Sequence, residues 1–445
     1  MLVMLLACIF SYQFFPGFIS YDSLIQFRQA LGLVELGDSN PVVMVYLWRI
    51  LLTAYDHIGV MLVFHQLLYW SSIGLFACLV SRRTLVRVLI VLLIGLCPPL
   101  AILALHLWKD VGMVIALAMA VTFLLGYVRR PHWGWLIGTA LALFFAVAVR
   151  VNGFIPALPL LMLLCYFAAR RWARSRLQII GLTVAGMLVL MTMQQLAMGL
   201  INAKAKHSYG LGTLVIWDIV SISLAEKKDL LPSYLEKKIA GDTLTLLEQH
   251  NSKEGNNASF AVVSPLPPPE FQKQLLKDWL ALIIEHPAAY LNHRAHVFAV
   301  LLGVFDREIY YPYHRGIEHN DLDIQFTYLT PEKQEQYFQV LDRLAATLFY
   351  RPWLYCVLIL FAGALAGLLV LSRKGNQPLN LLVFATAMSG LLSTLSLLVI
   401  ATAADHRYIS WSIFSGLMAS CMVCAALAPL RPSGKKPLKA APLAP

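Results

Sequence analysis

The chain has 445 residues, of which 59% are hydrophobic and 13% charged, with a mean hydropathy of +0.68 and a formal net charge of +11. That much apolar surface excludes a soluble domain of this length and makes the chain a polytopic membrane protein. Nor does the positive charge indicate nucleic acid, because the basic residues sit in short loops beside apolar runs, where they anchor to anionic lipid headgroups.

The apolar runs predict an all-α chain with ten spanning helices, at about 1–15, 58–80, 85–105, 110–128, 133–149, 153–169, 177–200, 352–372, 379–402 and 409–428. The first is short for a bilayer, which takes about 20 residues. It lacks the basic start and small-residue cleavage site of a signal peptide, and Phe14-Phe15-Pro16-Gly17 follows it, so it reads as a spanning helix. Residues 16–57 then form a loop with Asp22, Glu35, Asp38 and Asp56. Within it, 21–32 reads as a short amphipathic helix with Leu24, Phe27 and Leu31 on one side. A second, 41–54, reads as an interfacial helix with Pro41 in its first turn.

Five connections carry only basic residues: Arg82/Arg83/Arg87, Arg129/Arg130, Arg170/Arg171/Arg174/Arg176, Arg373/Lys374 and Arg431/Lys435/Lys436/Lys439. With ten helices, all five fall on one side and all 24 Asp and Glu on the other. Lys/Arg-rich loops stay cytoplasmic, so both termini are expected in the cytoplasm and the carboxylates on the outer face. Residues 201–351 are then an outer segment, polar enough to fold as a domain between a membrane module at 1–200 and the C-terminal helices and basic tail at 352–445. That segment contains a Ser264-Pro265-Leu266-Pro267-Pro268-Pro269 break and a helical stretch at about 270–303. Residues 288–305 are apolar, but a span there would carry Arg373/Lys374 to the wrong side, so a surface-lying or re-entrant helix is expected.

All seven cysteines lie in apolar segments, where Cys behaves as a small hydrophobe. Cys421-Met422-Val423-Cys424 has redox or metal spacing but falls inside a predicted span. The chain has no P-loop, dinucleotide fingerprint, HExxH or internal repeat, which argues against ATP-driven transport by this chain alone.

Asp22 follows helix one in Pro16-Gly17-Phe18-Ile19-Ser20-Tyr21-Asp22-Ser23. A carboxylate beside the bilayer can take a proton from a hydroxyl, and partial burial would raise its basicity. Its competing reading is an N-cap for the helix that follows. Arg407 and Tyr408, in Ala404-Asp405-His406-Arg407-Tyr408, stand at the outer end of the last helix. Arg407 suits a phosphate clamp, or a snorkelling interfacial Arg beside an aromatic-belt Tyr. Trp108-Lys109-Asp110 and Arg150-Val151-Asn152-Gly153 reach the same depth, as interfacial anchors and turns or as partners of Arg407. Three cations at one lipid boundary suit an anionic lipid headgroup, and Arg294 is a candidate fourth. His286, His293, His296, His314, His319 and His406 lie on the same side, with His293 and His296 at i, i+3, so a divalent metal is left open.

Together these residues resemble the C-type glycosyltransferase superfamily, integral-membrane enzymes that use a polyprenyl-phosphate-linked sugar donor. The resemblance is to bacterial members with Pro-Gly…Ser-x-Asp-Ser after helix one, then His-Pro-Pro, Lys-Asp, Arg-x-Asn-Gly and a late Asp-x-Arg-Tyr. Here these read Pro16-Gly17…Ser20-Tyr21-Asp22-Ser23, Asn40-Pro41-Val42, Lys109-Asp110, Arg150-Val151-Asn152-Gly153 and Asp405-His406-Arg407-Tyr408. Asn40 stands where His is usual, Val42 where a second Pro is usual, and Ser23 where many relatives have a second acidic residue.

The resemblance implies a bacterial inner-membrane enzyme working on the periplasmic face. Asp22 would activate an acceptor hydroxyl for inverting attack on the anomeric carbon. Arg407, Lys109, Arg150 and Arg294 would hold the donor phosphate, with Tyr21, Asn40, Asp110, Asn152 and Tyr408 shaping the substrate. No general acid is needed, because a lipid phosphate is a weak base. The acceptor would be a surface glycan, a lipid or a protein such as a pilin. The rival readings are a lipid-linked sugar transporter or flippase, an O-antigen-ligase-type transferase and a non-enzymatic scaffold. A transporter predicts ionisable residues at mid-membrane and repeated halves.

Overall fold

The computed structural model describes residues 1–38, 40–206, 210–239, 241–256, 259–263, 269–304 and 309–427. Among them every extended element is a helix, and strand pairing is limited to isolated bridges. The first ten helices are α1 (Leu2–Gln13), α2 (Tyr21–Leu31), α3 (Val42–Leu52), α4 (Val60–Val80), α5 (Thr84–Gly95), α6 (Pro98–Leu103), α7 (Lys109–Arg129), α8 (Trp133–Val149), α9 (Phe154–Ala169) and α10 (Arg176–Asn202). Then come α11 (Gly212–Glu226), α12 (Thr243–His250), α13 (Ser259–Val262), α14 (Gln272–Glu285), α15 (Pro287–Leu302) and α16 (Pro331–Ala345). The last three are α17 (Pro352–Leu371), α18 (Gln377–Ile400) and α19 (Ser410–Leu427).

Seven helices are long and apolar enough to cross a membrane: α4, α7, α10, α17, α18, α9 counted from Val151 and α19 counted from His406. Three more expected spans are shorter apolar helices, α1, α5 and α8. The chain is therefore an all-helical, multi-pass membrane protein. The expected span at 85–105 is interrupted. It breaks at Leu96-Cys97, because Pro98 and Pro99 lack N–H groups and start a new helix, α6. The carbonyls freed at the end of α5 are not left bare, since the Tyr69 hydroxyl donates to Ile94 O (3.3 Å) and Gly95 O (3.0 Å). The helical stretch expected at 270–303 is likewise two helices, α14 and α15, separated at His286-Pro287. Helix α15, within the stretch 288–305, is neither among the seven nor among the shorter apolar helices.

Helices α7 and α19 form the centre. In each, 78% of the residues in the apolar stretch are buried, against 11% in α10. Both are apolar on all sides, as helices enclosed by other helices must be. Helix α10 packs along α9 and exposes Leu177, Ile180, Leu188, Met193 and Leu196, the pattern of a lipid-facing helix.

The two ends of the bundle differ in charge. Arg129 Nε donates to Leu79 O (3.0 Å), joining the C-terminal ends of α7 and α4. Arg171 lies 4.8 Å over Trp133, joining the α9–α10 turn to the start of α8. Arg82/Arg83, Arg129/Arg130 and Arg170/Arg171/Arg174 thus share the end opposite Lys109. Arg373/Lys374 occupy the α17–α18 turn, separated by the 24 residues of α18 from the segment that carries Asp405. The basic tail from Arg431 and residues 264–268 of the proline-rich break lie outside the described residues.

At the other end, part of 201–351 has its own small core, in which Ile216, Ile219, Leu247 and Leu275 are buried together. Helices α15 and α16 instead bury Val297, Leu301, Phe338 and Leu341 in the main core. Residues 16–20 run as a short extended segment between two others. Phe18 N–H donates to Leu105 O (2.9 Å), and Leu107 N–H to Phe18 O (3.1 Å). On the other side Ile19 N–H donates to Gly316 O (2.9 Å), and Glu318 N–H to Ile19 O (2.8 Å). Gly17 makes this approach possible. Its φ is +109°, and a Cβ there would sit 2.9 Å from Leu107 Cδ2. Gly17→Ala is expected to lower the stability of the detergent-solubilised protein by roughly 1–3 kcal/mol. An unchanged thermal unfolding midpoint would contradict this account of the segment.

Candidate active site

Five segments far apart in sequence meet at the end of the bundle opposite the basic loops. Lys109 and Arg407 stand at the starts of the two central helices. Arg150 ends α8, Asn40 precedes α3, and Asp22 lies in the first turn of α2. The N-terminal ends of α2, α7 and α19 therefore face one region, and helix N-termini favour negative charge.

Arg407 is the hub. Its Nε lies 2.7 Å from Asp405 Oδ2, an ion-pair contact off the hydrogen-bond axis. Asp405 Oδ1 also accepts the Arg407 backbone N–H (3.1 Å), so one carboxylate holds both ends of the residue. The guanidinium lies 4.7 Å over the Trp108 ring and 5.3 Å over Tyr408. Its Nη1 reaches outward to Asp22 Oδ2 at 3.6 Å. Burial pushes the Asp405 carboxyl above the ordinary carboxylate range, and the field of Arg407 opposes that shift.

Each of the other cations also has a partner. Arg150 pairs with the fully buried Asp110, donates from Nε to Asn152 Oδ1 (2.7 Å), and lies 4.9 Å over the Tyr408 ring. Lys109 Nζ donates to Asn40 Oδ1 (2.8 Å) and feels the charges of Asp22, Arg150, Asp110 and Arg407. The expected meeting of Asp22, Lys109, Arg150 and Arg407 is thus present in the fold. So are the places of Asn40, Asp110, Asn152 and Tyr408 beside them. Tyr21 is next to Asp22 but points outward, with 66% of its surface exposed.

Two expectations are corrected. Asp22 is not the N-cap of α2. Ser20 occupies that position, and the Asp22 side chain faces Arg407 from inside the helix. Arg294 does not join the other cations. It is 2% exposed, pairs with Asp218 Oδ2 at 2.6 Å, and donates from Nη1 to Ala401 O (2.6 Å). Asp218 is itself fully buried and accepts from Trp279 Nε1 (3.0 Å). A buried guanidinium needs such a partner, and nothing in the local sequence of Arg294 reveals it.

Behind the cluster, buried polar groups fix the backbone. Trp108 Nε1 donates to Ser20 Oγ (2.7 Å), and Ser23 Oγ to Leu107 O (3.1 Å). These bonds set α2, and so Asp22, against the start of α7. Burial lowers the pKa of His106 to about 3, with the charge of His314 adding to the shift, and burial also lowers that of His314. Burial raises the Tyr311 pKa to about 12. Tyr311 therefore keeps its proton and donates to His314 Nδ1 (2.7 Å), leaving His314 Nε2–H to donate to Ile19 O (3.2 Å). The histidines of the lobe point elsewhere. His293 lies 3.4 Å from Asp218 and His296 3.5 Å from Glu254. Among the described residues no group of three or more His, Cys, Asp or Glu is placed to hold a metal ion.

Asp405 and Trp108 were not singled out by sequence, although both adjoin residues that were. Asp218 and His106 had no local signal, and His314 stood out only as one of six histidines on the outer side.

No family model and no curated protein matches the chain. A comparison with solved structures finds the crystal structure of ArnT from Cupriavidus metallidurans bound to undecaprenyl phosphate. The identity is 15% and the TM-score 0.34, with 92% of this chain and 77% of that one covered. A likeness of that depth assigns neither a family nor a function.

Asp218→Ala would leave Arg294 buried without its charge partner and is expected to cost about 3–5 kcal/mol. Loss of folded protein in detergent gel filtration, or a large fall in its unfolding midpoint, is the readout. A stable Asp218→Ala protein with selectively weakened lipid-phosphate binding would return Arg294 to the cation cluster.

Proposed function

We propose that the chain is a membrane glycosyltransferase that moves a sugar from a polyprenyl-phosphate-linked donor to a hydroxyl of a surface glycan, lipid or protein acceptor. The observation that carries the reading is one exposed carboxylate, Asp22, facing a set of cations at the edge of the apolar bundle. Asp22 takes the proton of the acceptor hydroxyl. The hydroxyl oxygen forms a bond to the anomeric carbon as the bond from that carbon to the phosphate oxygen breaks. The phosphate leaves with the electron pair, and the single displacement inverts the anomeric centre. Arg407, Lys109 and Arg150 stabilise the charge on the departing phosphate, helped by the N-terminal ends of α7 and α19. The concentration of Arg residues at the other end of the bundle supports a cytoplasmic placement of that end and an outer-face site.

The test is mass spectrometry of surface polysaccharide and surface proteins from the source cells with the chain intact, deleted or carrying Asp22→Asn. Loss of the same monosaccharide mass in the deletion and the variant is the expected result. Asp22→Asn should still insert, and its transfer rate should fall about 10²–10⁴-fold. Unchanged glycans in the deletion strain, without accumulation of sugar-loaded lipid, would favour the transporter reading instead. Arg407→Ala is expected to raise the KM for the lipid-linked donor more than that for the acceptor. Equal effects on both would remove Arg407 from the phosphate site.

A further inference from the structure

In the cation cluster Arg150 is ion-paired with Asp110, and Arg407 with Asp405 and Asp22, while Lys109 is hydrogen-bonded to Asn40 and lies in the field of Asp22 and Asp110. A phosphate that reaches Arg407 must therefore compete with a carboxylate already present. The three carboxylates are not equally placed to give way. Asp110 is fully buried against Arg150, so removing it would strand a buried charge. Asp405 is 8% exposed and holds Arg407 both at Nε, 2.7 Å away, and at its backbone N–H. Asp22 differs on each count. Its side chain is 39% exposed, and its contact with Arg407 is the longer one at 3.6 Å. It stands on α2, whose carboxylate can turn to water at little cost.

We propose that Asp22 and the donor phosphate exchange places on Arg407. In the empty enzyme Asp22 occupies the outward-facing Nη1 of the guanidinium. The incoming phosphate takes that position and expels the carboxylate. Asp405 keeps the guanidinium in place throughout, against the rings of Trp108 and Tyr408. Asp22 released in this way has left its ion pair, so its carboxylate is free to meet an acceptor hydroxyl only once the donor is bound. Binding would then be ordered, with donor before acceptor activation. An acceptor hydroxyl would find no free base in a site that lacks a sugar to transfer. This inference rests on the proposed glycosyltransferase reading and adds a sequence of events to it.

The experiment is equilibrium binding of undecaprenyl phosphate to the purified full chain in detergent, for wild type, Asp22→Asn, Asp22→Glu, Asp405→Asn and Arg407→Ala. Removing the competing carboxylate should tighten binding. Asp22→Asn is expected to lower Kd about three- to fivefold, the effect of deleting a half-exposed ion pair, while its transfer rate falls as expected above. Asp22→Glu keeps the competing charge and should stay near the wild-type Kd. Asp405→Asn and Arg407→Ala should both weaken binding. If Asp22→Asn binds no tighter than wild type while Arg407→Ala is weaker, the exchange is wrong and the phosphate site stands. If wild type and Arg407→Ala bind the lipid phosphate equally poorly, the exchange and the glycosyltransferase reading both fall. A misfolded variant is recognised separately by its gel-filtration profile, and Asp22→Ala then supplies the same charge deletion.

Discussion

A charge at the edge of an apolar bundle has to be paired, and the arrangement of this protein's functional end follows from that requirement. Arg407 begins one of the two most enclosed helices, and its side chain is mostly buried. Asp405 meets the need at closest range, and the rings of Trp108 and Tyr408 lie against the guanidinium. Asp22 adds a second, longer carboxylate contact at Nη1. The extended segment 16–20, the Trp108–Ser20 bond and the buried His106–His314 pair all serve to bring α2 to the place where this happens.

The same requirement separates the two kinds of arginine found here. Arg407 and Arg150 keep faces toward a region that helix N-termini make attractive to anions. Arg294 is closed off by Asp218, Trp217 and the Ala401 carbonyl, and its charge is spent on joining the small lobe to the end of α18. Residue type and depth were alike for all of them. Only the partners distinguish a cation that can receive a ligand from one that fastens two parts of the fold.

Much of the architecture was legible because bilayer thickness and charge sidedness act on single segments. Runs of apolar residues located the helices, and the segregation of Lys and Arg from Asp and Glu located the two ends. The broken helix at Leu96-Cys97 was also written in the sequence, as Pro98-Pro99, but the apolar run concealed it. Of the candidate site, the residues adjoining helix ends were readable, since the ends of spanning helices return to the same depth. The pairing of Asp218 with Arg294, and the stacking of His106 on Trp108 at 4.0 Å, depend on contacts between distant segments. Neither leaves a periodicity or a spacing to find. The N-cap reading of Asp22 failed for a smaller reason, because α2 starts at Tyr21, one residue before Asp22, and Ser20, whose hydroxyl accepts from Trp108, takes the N-cap position.

The lobe and the cluster also share backbone. Ala404 N–H donates to Glu254 O (2.7 Å), and Gly255 bridges to Ala403, immediately before the carboxylate that holds Arg407. Arg294 grips Ala401 three residues earlier. The stretch that positions the hub is thus a common wall, owned equally by the lobe and the membrane helices. Any molecule that settles on the lobe and favours one geometry of 401–405 would alter the affinity of the cluster for its anion, and the anion would alter the lobe's affinity by the same factor. Thermodynamic reciprocity of this kind needs no moving domain, only a wall with two sides.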